Sequence, residues 1–286
     1  MTGNEMTAKS ISAFPPEWRI ESADRIADTV AGTVYEVSRA GGEIDIVKVL
    51  KPKVLADNLR GVDFLEWRDG VGAIRLLARS ENVILLEHAG SETLRDRIAT
   101  HGDEQATRIA AEVLVEYHRP SVTPPPAGLL PLSGYFASLF RKAEEDRKEG
   151  IESPYLEAAA MAEELIADQQ DIKPLHGDLH HENIMFGPRG WLIIDPAGLI
   201  GDAALDVANM FSNPLDRFDL TRDEGRIASM ASIFAETLKR DVRTILRYAF
   251  SYGCLSASWH EEDGNEEERD NELTVVAAIK NVLRQA

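Results

Sequence analysis

The sequence predicts an α+β fold of two lobes, with a small β-rich lobe at residues 1–88 and a larger helical lobe at residues 89–286. Two patterns support this division. Short β-rich runs alternate with turn residues in the first lobe, whereas the rest of the chain is dominated by apolar residues at helical spacing. At 286 residues the chain is long enough to bury a core in each lobe.

The N-terminal lobe is predicted to hold four strands and one helix. The β-rich runs are residues 33–37, 44–49, 74–77 and 83–86. Gly41 and Gly42 lie between the first two runs and are typical of a tight hairpin. After the second run, apolar residues recur every three or four positions, which predicts a helix at residues 54–67. We expect the four strands to form one sheet.

The C-terminal lobe is predicted to be mostly helical. The predicted helices are residues 103–118, 135–149, 154–169, 224–239, 242–252 and 266–283. Asp103 is the predicted N-cap of the first helix, and Pro154 occupies the first position of the third. A short hairpin at residues 184–194, with its turn at 187–190, interrupts the helices.

Composition limits the classes of partner. Apolar residues make up 44% of the chain and charged residues 28%, which is typical of a globular protein. We expect no membrane partner, because no run approaches the ~18 consecutive apolar residues that a membrane helix needs. The start of the chain has no apolar signal region and there is a single cysteine, which together favour the cytoplasm. The net charge of −18 disfavours nucleic acid and would attract a cationic small molecule, although acidity can also serve solubility alone.

Residues 175–196 contain the side chains best suited to chemistry. They read LHGDLHHENIMFGPRGWLIIDP. Asp178 and Asn183 lie five positions apart after a predicted helix, and Asp195 follows twelve positions later at the end of an apolar run. A carboxylate, an amide and a second carboxylate brought together by a hairpin can bind Mg²⁺ and orient a hydroxyl group toward ATP.

The spacing His-x-Asp-x-x-x-x-Asn in this stretch is that of a kinase catalytic loop. In that arrangement Asp178 is the catalytic base, which accepts the proton of the hydroxyl group, and Asn183 and Asp195 are the metal ligands. Lys48 lies in the predicted strand 44–49, where a kinase has the lysine that contacts the ATP phosphates. The sequence therefore predicts a kinase with ATP and Mg²⁺ as cofactors.

A metal-dependent hydrolase is the rival enzyme class. The side chains that would bind its two metal ions are His176, Asp178, His180 and His181. Such a centre needs more ligands, and His260 is the only histidine after this cluster. In the kinase interpretation, His176 orients the backbone of the loop.

With these residues the chain resembles the aminoglycoside phosphotransferases, and within them the branch of streptomycin 6-phosphotransferases and hydroxyurea phosphotransferases. The likeness covers nearly the whole chain, through residues 46–48, 67–77, 85–90, 175–186, 190–196 and 252–257. The resemblance implies the two-lobe fold of the protein kinases. Residues 1–88 would then be the nucleotide-binding lobe, and residues 89–286 would carry the catalytic loop, the metal ligands and the acceptor site.

The resemblance also implies roles for individual residues. Lys48 would contact the ATP phosphates, and the backbone of Glu87 and Ala89 would bind adenine at the hinge between the lobes. Asp206 would brace the catalytic loop through backbone hydrogen bonds; the alternative role is a cap at the start of a helix, and the two roles are compatible. The implied enzyme is a monomeric O-phosphotransferase that inactivates streptomycin, a cationic aminoglycoside, by phosphorylating its 6-hydroxyl group and so confers antibiotic resistance.

Two alternatives to this function stay open. One is a kinase of the same fold that acts on hydroxyurea or on a metabolite, and the other is a kinase-like protein that binds a ligand without catalysis. Two departures from the protein-kinase pattern bear on them. The usual Asp-Phe-Gly is Asp-Pro-Ala at residues 195–197, and Gly32 is the only glycine where a glycine-rich loop is expected.

The acidic partner of Lys48 and the role of an acidic run near the C-terminus are not assigned. Asn58 stands where an acidic partner for Lys48 is expected, which leaves Asp63 and Glu66 as candidates. The acidic run at residues 261–268 is a candidate for binding the cationic acceptor, or else is the solvated start of a helix, where acidic residues are favoured.

Overall fold

The structure of the protein is a computed structural model, which describes residues 13–286. The N-terminal lobe is an antiparallel sheet with strand order β1-β2-β3-β5-β4 and one α-helix. Its elements are β1 (Ile20–Asp28), β2 (Gly32–Arg39), β3 (Ile44–Leu50), α1 (Leu55–Arg68), β4 (Leu76–Ser80) and β5 (Val83–Glu87). This confirms the predicted hairpin, helix and single sheet.

Two features of the N-terminal lobe differ from the sequence prediction. Strand β1 was not predicted, because it is an edge strand in which only Ala23 is buried and its residues show no alternation of apolar and polar types. The strand predicted at residues 74–77 begins only at Leu76. Its first residue, Ile74, instead donates its backbone N–H to Ile193 O (3.1 Å), so the segment before β4 pairs with the C-terminal lobe.

The C-terminal lobe is mainly helical. Its first half contains β6 (Glu92–Thr93), α2 (Leu94–His101), α3 (Asp103–Tyr117), β7 (Leu130–Pro131), α4 (Leu132–Tyr135), α5 (Ala137–Glu149) and α6 (Pro154–Ala167). Its second half contains β8 (Ile172–Leu175), β9 (Ile184–Gly187), β10 (Gly190–Ile193), β11 (Leu199–Asp202), a 3-10 helix (Ala203–Ser212), α7 (Phe218–Thr221), α8 (Glu224–Leu238), α9 (Val242–Glu262) and α10 (Glu266–Gln285). The short strands form two three-stranded sheets, β10-β9-β6 and β7-β11-β8.

Two predictions for the helical lobe were wrong in detail. Helix α9 was expected to end at Tyr252 but continues to Glu262, because Cys254, Leu255 and Ala257 keep an apolar face buried in the core. Asp103 was expected to cap α3. The cap position is instead Gly102, and the Asp103 carboxylate pairs with Arg226 Nε at 2.9 Å.

One large hydrophobic core runs through the helical lobe and reaches the inner face of the sheet. Its largest fully buried side chains include Tyr117, Phe136, Phe211 and Phe234. A smaller core on the other face of the sheet is covered by Phe14 and Trp18 and contains Ala23, Val37, Val47 and Leu85. Among residues 13–286, no helix is both long enough and apolar enough to cross a membrane.

Candidate active site

The loop between β8 and β9 is held in shape by the ring of His176. Its Nδ1 accepts a hydrogen bond from the backbone N–H of Asp178 (3.1 Å), and its Nε2–H donates to Ile194 O (2.8 Å). The ring is completely buried, and burial lowers the pKa of His176, so the neutral ring that these two bonds require is favoured. His176 thus orients the loop backbone, as the sequence analysis predicted.

Asp206 holds the backbone at the start of the same loop. Its buried carboxylate accepts hydrogen bonds from the backbone N–H groups of His176 (3.0 Å) and Gly177 (2.7 Å). The Tyr117 hydroxyl (2.6 Å) and His118 Nε2 (2.9 Å) donate to it as well. Burial alone would raise the pKa of Asp206, but the hydrogen bond and charge of His118 and the backbone bond from Gly177 lower it.

These contacts confirm the predicted backbone hydrogen bonds of Asp206. The alternative, that Asp206 caps a helix, was wrong. The residue that caps the 3-10 helix is Asp202, whose side chain accepts from the backbone N–H of Ala204 at 3.0 Å.

Asp178 and Asn183 contact each other at the two ends of the loop. Asn183 Nδ2 donates to Asp178 O (2.9 Å) and lies 3.4 Å from Asp178 Oδ2. The other carboxylate oxygen, Oδ1, accepts from Asn209 Nδ2 at 2.9 Å. The loop therefore presents a half-exposed carboxylate beside an amide, and the contact from Asn209 was not foreseen from the sequence.

Lys48 and Asp195 form an ion pair across the two lobes. Lys48 Nζ lies 2.8 Å from Asp195 Oδ1, and the lysine side chain is only 7% exposed. Neither of the two candidate partners on α1, Asp63 and Glu66, pairs with Lys48. Asn58 donates to Val54 O, and Asp63 and Glu66 both pair with Arg79 instead. (Both acidic partners lie on the outer surface, with side chains at least 43% exposed.)

Asp195 is positioned by the end of the β9–β10 hairpin and by helix α1. The backbone N–H of Ile194 donates to Asn183 O (3.0 Å), so the two predicted metal ligands lie on neighbouring segments. Asp195 has a φ of 51°, a left-handed conformation that an aspartate tolerates better than most residues. Helix α1 is pressed against the next residue, because a Cβ atom added to Gly61 would lie 1.8 Å from Pro196 O.

The predicted hinge lies against the β9–β10 hairpin. A Cβ atom added to Gly187 would lie 2.3 Å from Ala89 O. The Glu87 carboxylate accepts two hydrogen bonds from Arg189, from Nε at 2.6 Å and Nη2 at 2.5 Å, and one from the backbone N–H of Arg75 at 3.0 Å. Burial raises the pKa of Glu87, but these bonds outweigh it and hold the pKa below its ordinary value. Only a backbone role was predicted for Glu87, and these side-chain bonds to Arg189 were not foreseen from the sequence.

The histidines of the loop do not converge as a metal centre would require. His180 Nδ1 lies 2.9 Å from Glu182 Oε2, and Arg95 Nη1 donates to the other oxygen of Glu182 at 2.7 Å. The ring of His181 is completely buried, and burial lowers its pKa to about 3. Within residues 13–286, no group of three or more His, Cys, Asp or Glu side chains can hold a metal ion. The loop histidines therefore do not form the two-metal centre of the rival hydrolase interpretation.

An aromatic cluster lies beside the predicted catalytic loop. Tyr135 donates its hydroxyl hydrogen to Gly177 O at 2.6 Å, stacks on Tyr252 and meets the edge of Trp259 at a centroid distance of 5.5 Å. Tyr135 and Trp259 are half-buried and Tyr252 is buried. This cluster was not predicted from the sequence, because its members come from two helices more than 100 residues apart.

The acidic run at residues 261–268 divides between two helices. Glu261 and Glu262 end α9 and pair with Lys142 and Arg141, each at 2.7 Å. The remaining glutamates occupy the first turn of α10, where negative charge is favoured by the helix dipole. The run therefore fits the alternative of a helix start better than that of a binding surface.

A solved structure of a known enzyme has the same fold. The GDP complex of a wild-type aminoglycoside 2′-phosphotransferase-IIIa matches with a TM-score of 0.64 and 15% identity, over 95% of this chain and 96% of its own length. At this identity the match concerns the fold alone. The protein thus has the protein-kinase-like fold of the aminoglycoside phosphotransferases, as predicted.

Sequence comparison gives the family. A profile described as "Aminoglycoside/hydroxyurea antibiotic resistance kinase" matches residues 17–264. A streptomycin 3″-kinase of Klebsiella pneumoniae is 36% identical over 253 residues, which span 86% of this chain and 91% of that protein. A streptomycin 6-kinase of Streptomyces griseus is 26% identical over 268 residues, which span 92% and 85% of the two chains. The chain belongs to the aminoglycoside/hydroxyurea antibiotic resistance kinase family.

Proposed function

We propose that this protein transfers the γ-phosphoryl group of ATP to a hydroxyl group of streptomycin, with Asp178 as the catalytic base. The observation that carries the proposal is the placement of four side chains from distant parts of the chain. Lys48 pairs with Asp195 at 2.8 Å, and Asp195 follows a residue that is hydrogen-bonded to Asn183, which in turn contacts Asp178. The names of the two streptomycin kinases among its relatives support the choice of acceptor.

The chemistry follows from the exposed carboxylate. Asp178 accepts the hydrogen bond and then the proton of the acceptor hydroxyl, while the hydroxyl oxygen bonds to the γ-phosphorus of ATP. The bond from that phosphorus to the bridging oxygen breaks, and ADP leaves. Because phosphoryl transfer has a loose transition state, the main work of Asp178 is to orient the hydroxyl group in line.

The residues present fit a Mg²⁺ ion. Asn183 donates through Nδ2 to Asp178, which leaves its amide oxygen as a ligand, and Asp195 uses only Oδ1 for Lys48. Two hard oxygen ligands suit Mg²⁺, which completes its shell with water and phosphate oxygens. When bound, the ion would neutralise charge on the β- and γ-phosphates. We propose Asn183 and Asp195 as its ligands.

The nucleotide is proposed to lie under the N-terminal sheet. Lys48 would contact the α- and β-phosphates from β3, and backbone groups of Glu87 and Ala89 would bind adenine at the end of β5. The related fold in the 2′-phosphotransferase holds GDP, so ATP and GTP should be compared as donors.

The net charge of the chain and two aromatic rings beside the loop support a cationic acceptor. Streptomycin carries two guanidinium groups and an amine, and the net charge of −18 would attract it. The half-buried rings of Tyr135 and Trp259 lie beside the catalytic loop, and aromatic faces bind guanidinium groups through cation–π contacts. We propose these two rings as part of the acceptor site.

The position of phosphorylation separates two versions of this proposal. The sequence analysis predicted the 6-hydroxyl, whereas the higher identity to the 3″-kinase favours the 3″-hydroxyl. These hydroxyl groups lie on different rings of streptomycin. Fragmentation of the product in a mass spectrometer, or its phosphorus–proton NMR correlations, assigns the ring.

The decisive experiment incubates the purified protein with Mg-ATP and streptomycin and follows ADP release and phosphorylated product. Replacing Asp178 by Asn should lower the rate by ~10² to 10⁴, the usual loss for a general base. Asp219→Asn is the control, because Asp219 is exposed and pairs with its neighbour Arg217. If the wild-type protein forms no phosphorylated streptomycin, the proposed acceptor is wrong.

Other acceptors are tested in the same assay. The family description also names hydroxyurea, so ADP release should be measured with hydroxyurea, kanamycin and streptomycin in parallel. ATP binding without turnover on any acceptor would favour a non-catalytic protein.

Three further predictions have their own tests. The predicted monomer is tested by light scattering, the predicted cytoplasmic location by cell fractionation, and the proposed lobes 1–88 and 89–286 by limited proteolysis.

A further inference from the structure

Among residues 13–286, the carboxylate of Asp178 has one short side-chain hydrogen bond, and it comes from outside the catalytic loop. Asn209 Nδ2 donates to Asp178 Oδ1 at 2.9 Å, whereas Asn183 Nδ2 lies 3.4 Å from Oδ2. The Asp178 side chain is 47% exposed, so packing alone does not restrain its rotation. The bond from Asn209 is therefore a main restraint on the direction of the carboxylate.

The amide of Asn209 is itself held in one orientation. Asn213 Nδ2 donates to Asn209 Oδ1 (2.8 Å) and also to Asn209 O (3.0 Å). Because the amide oxygen of Asn209 accepts from one side, its NH₂ group must face Asp178 on the other. Asn209 is 9% exposed and Asn213 is 5% exposed, and burial strengthens such hydrogen bonds.

Asn213 is anchored in turn by a buried arginine. Arg226 Nη2 donates to Asn213 O at 2.7 Å, and Arg226 Nε pairs with Asp103 Oδ2 at 2.9 Å. The Arg226 side chain is 6% exposed. A continuous row of polar contacts thus runs from the start of α3, through α8 and the end of the 3-10 helix, to the catalytic loop.

We propose that Asn209 is a positioning residue that fixes the rotamer of Asp178, and that Asn213 prevents the amide of Asn209 from flipping. With Oδ1 occupied by Asn209, Oδ2 is the oxygen that faces the acceptor hydroxyl and takes its proton. A flipped amide would place its oxygen against Oδ1 and turn the carboxylate away. This inference rests on the role of Asp178 in the proposed function.

The kinetic test uses Asn209→Ala, Asn213→Asp and the double variant. Removing a hydrogen bond to a charged group should lower kcat roughly ten- to hundredfold, with little change in the KM values for ATP and streptomycin. Asn213→Asp removes the donor that orients Asn209 and should lower kcat in the same way, although residue 213 does not touch Asp178. In the double variant the two losses should not multiply, because both act through one bond.

Asn281→Ala is the matched control. Asn281 Nδ2 also donates to a carboxylate, that of Glu224 at 2.8 Å, but on an exposed surface. Its replacement should leave kcat unchanged. Unchanged kcat in Asn209→Ala, a change in KM alone, or multiplying losses in the double variant would overturn the inference.

A second measurement does not need turnover. In a crystal structure of Asn209→Ala the Asp178 carboxylate should occupy more than one rotamer, while the His176 and Asp206 contacts of the loop stay unchanged. A single unaltered rotamer would overturn the inference. Failure of the wild-type protein to phosphorylate streptomycin would instead count against the proposed function, so the two failures are distinguishable.

Discussion

Lys48 Nζ lies 2.8 Å from Asp195 Oδ1, and this pair is asymmetric: the lysine side chain is 7% exposed and the aspartate side chain 45%. The pair connects a strand of the N-terminal sheet to the segment that follows β10 in the helical lobe. If the pair is broken, the aspartate can be solvated where it stands, whereas the ammonium group is left buried. The two partners should therefore respond differently to substitution.

Lys48→Met should abolish most activity with little loss of stability. Methionine fills the same apolar path without a charge, and the exposed Asp195 needs no buried partner, so the free energy of unfolding should change by less than about 1 kcal/mol. Asp195→Asn leaves the buried lysine poorly paired and should destabilise the protein by about 1–3 kcal/mol. Both variants should lose ~10² to 10³ in kcat. Urea unfolding and steady-state kinetics measure the two effects.

Lys51→Met is the control for this pair. Lys51 Nζ lies 2.9 Å from Asp28 Oδ1 on the same sheet, but both side chains are more than 40% exposed. Its replacement should alter neither stability nor rate appreciably. Equal destabilisation by Lys48→Met and Asp195→Asn would contradict the asymmetry.

Gly61→Ala should destabilise the protein, although alanine has a higher helix propensity than glycine. In an unconstrained helix this change stabilises by about 0.5–1 kcal/mol. Here the new Cβ would lie 1.8 Å from Pro196 O, so either α1 or the segment carrying Asp195 must move. We expect a loss of about 1–3 kcal/mol and a lower kcat. Thermal unfolding and kinetics are compared with Gly128→Ala, where a Cβ meets no atom within 4 Å. A Gly61→Ala variant that is more stable than the wild-type protein would show that α1 and Pro196 separate at little cost in free energy.

The sequence predicted which side chains of the candidate site lie together better than it predicted their other contacts. Asp178, Asn183 and Asp195 share one short stretch, so their spacing alone indicated that they meet. Lys48 was placed by its position in a strand before a helix, and the structure brings it to Asp195. Its partner was sought on α1 by analogy with protein kinases, whereas Asn58 turns back to Val54 O within its own helix.

Contacts between distant segments were not predictable from local patterns. Asn209 and Asn213 lie in a largely apolar 3-10 helix and at its end, where an asparagine reads as a cap or a turn residue. Only the fold brings Asn209 to Asp178 in the predicted catalytic loop, 31 positions earlier in the chain. Strand β1 was missed for the opposite reason, because an edge strand with mostly exposed residues has no apolar alternation.

Arg189→Ala should weaken nucleotide binding more than it weakens the chemical step. Arg189 joins the hairpin turn to the proposed hinge through two bonds to Glu87, and it donates to Gly70 O (2.8 Å) and Ala73 O (2.9 Å) as well. Without it the end of β5 loses its anchor, so the KM for ATP should rise about tenfold, and stability should fall by about 2 kcal/mol. Arg79→Ala is the control, because Arg79 makes exposed ion pairs on the outer surface. A lower kcat with an unchanged KM for ATP would place Arg189 in another role.

Glu272 should make the protein less stable as the pH rises toward neutrality. Its carboxyl group is buried in α10, and burial raises its pKa from 4.5 to about 7, although Ser212 Oγ donates to it at 2.5 Å. Between these two pH values the folded protein keeps a proton that the unfolded chain has released. The unfolded state therefore binds fewer protons, and the free energy of unfolding falls with increasing pH. The stabilising contribution is complete below pH 4.5 and lost above pH 7.

Glu272→Gln tests this directly, because glutamine mimics the protonated carboxyl group and can still accept from Ser212. The variant should match the wild-type protein near pH 4.5 and exceed its stability at pH 8 by as much as ~3 kcal/mol. Urea unfolding at the two pH values measures the difference, and comparing the two proteins cancels the titration of all other groups. Glu267→Gln, in the exposed first turn of the same helix, should show no such pH dependence. An equal stability difference at both pH values would mean that Glu272 is already ionised in the folded protein.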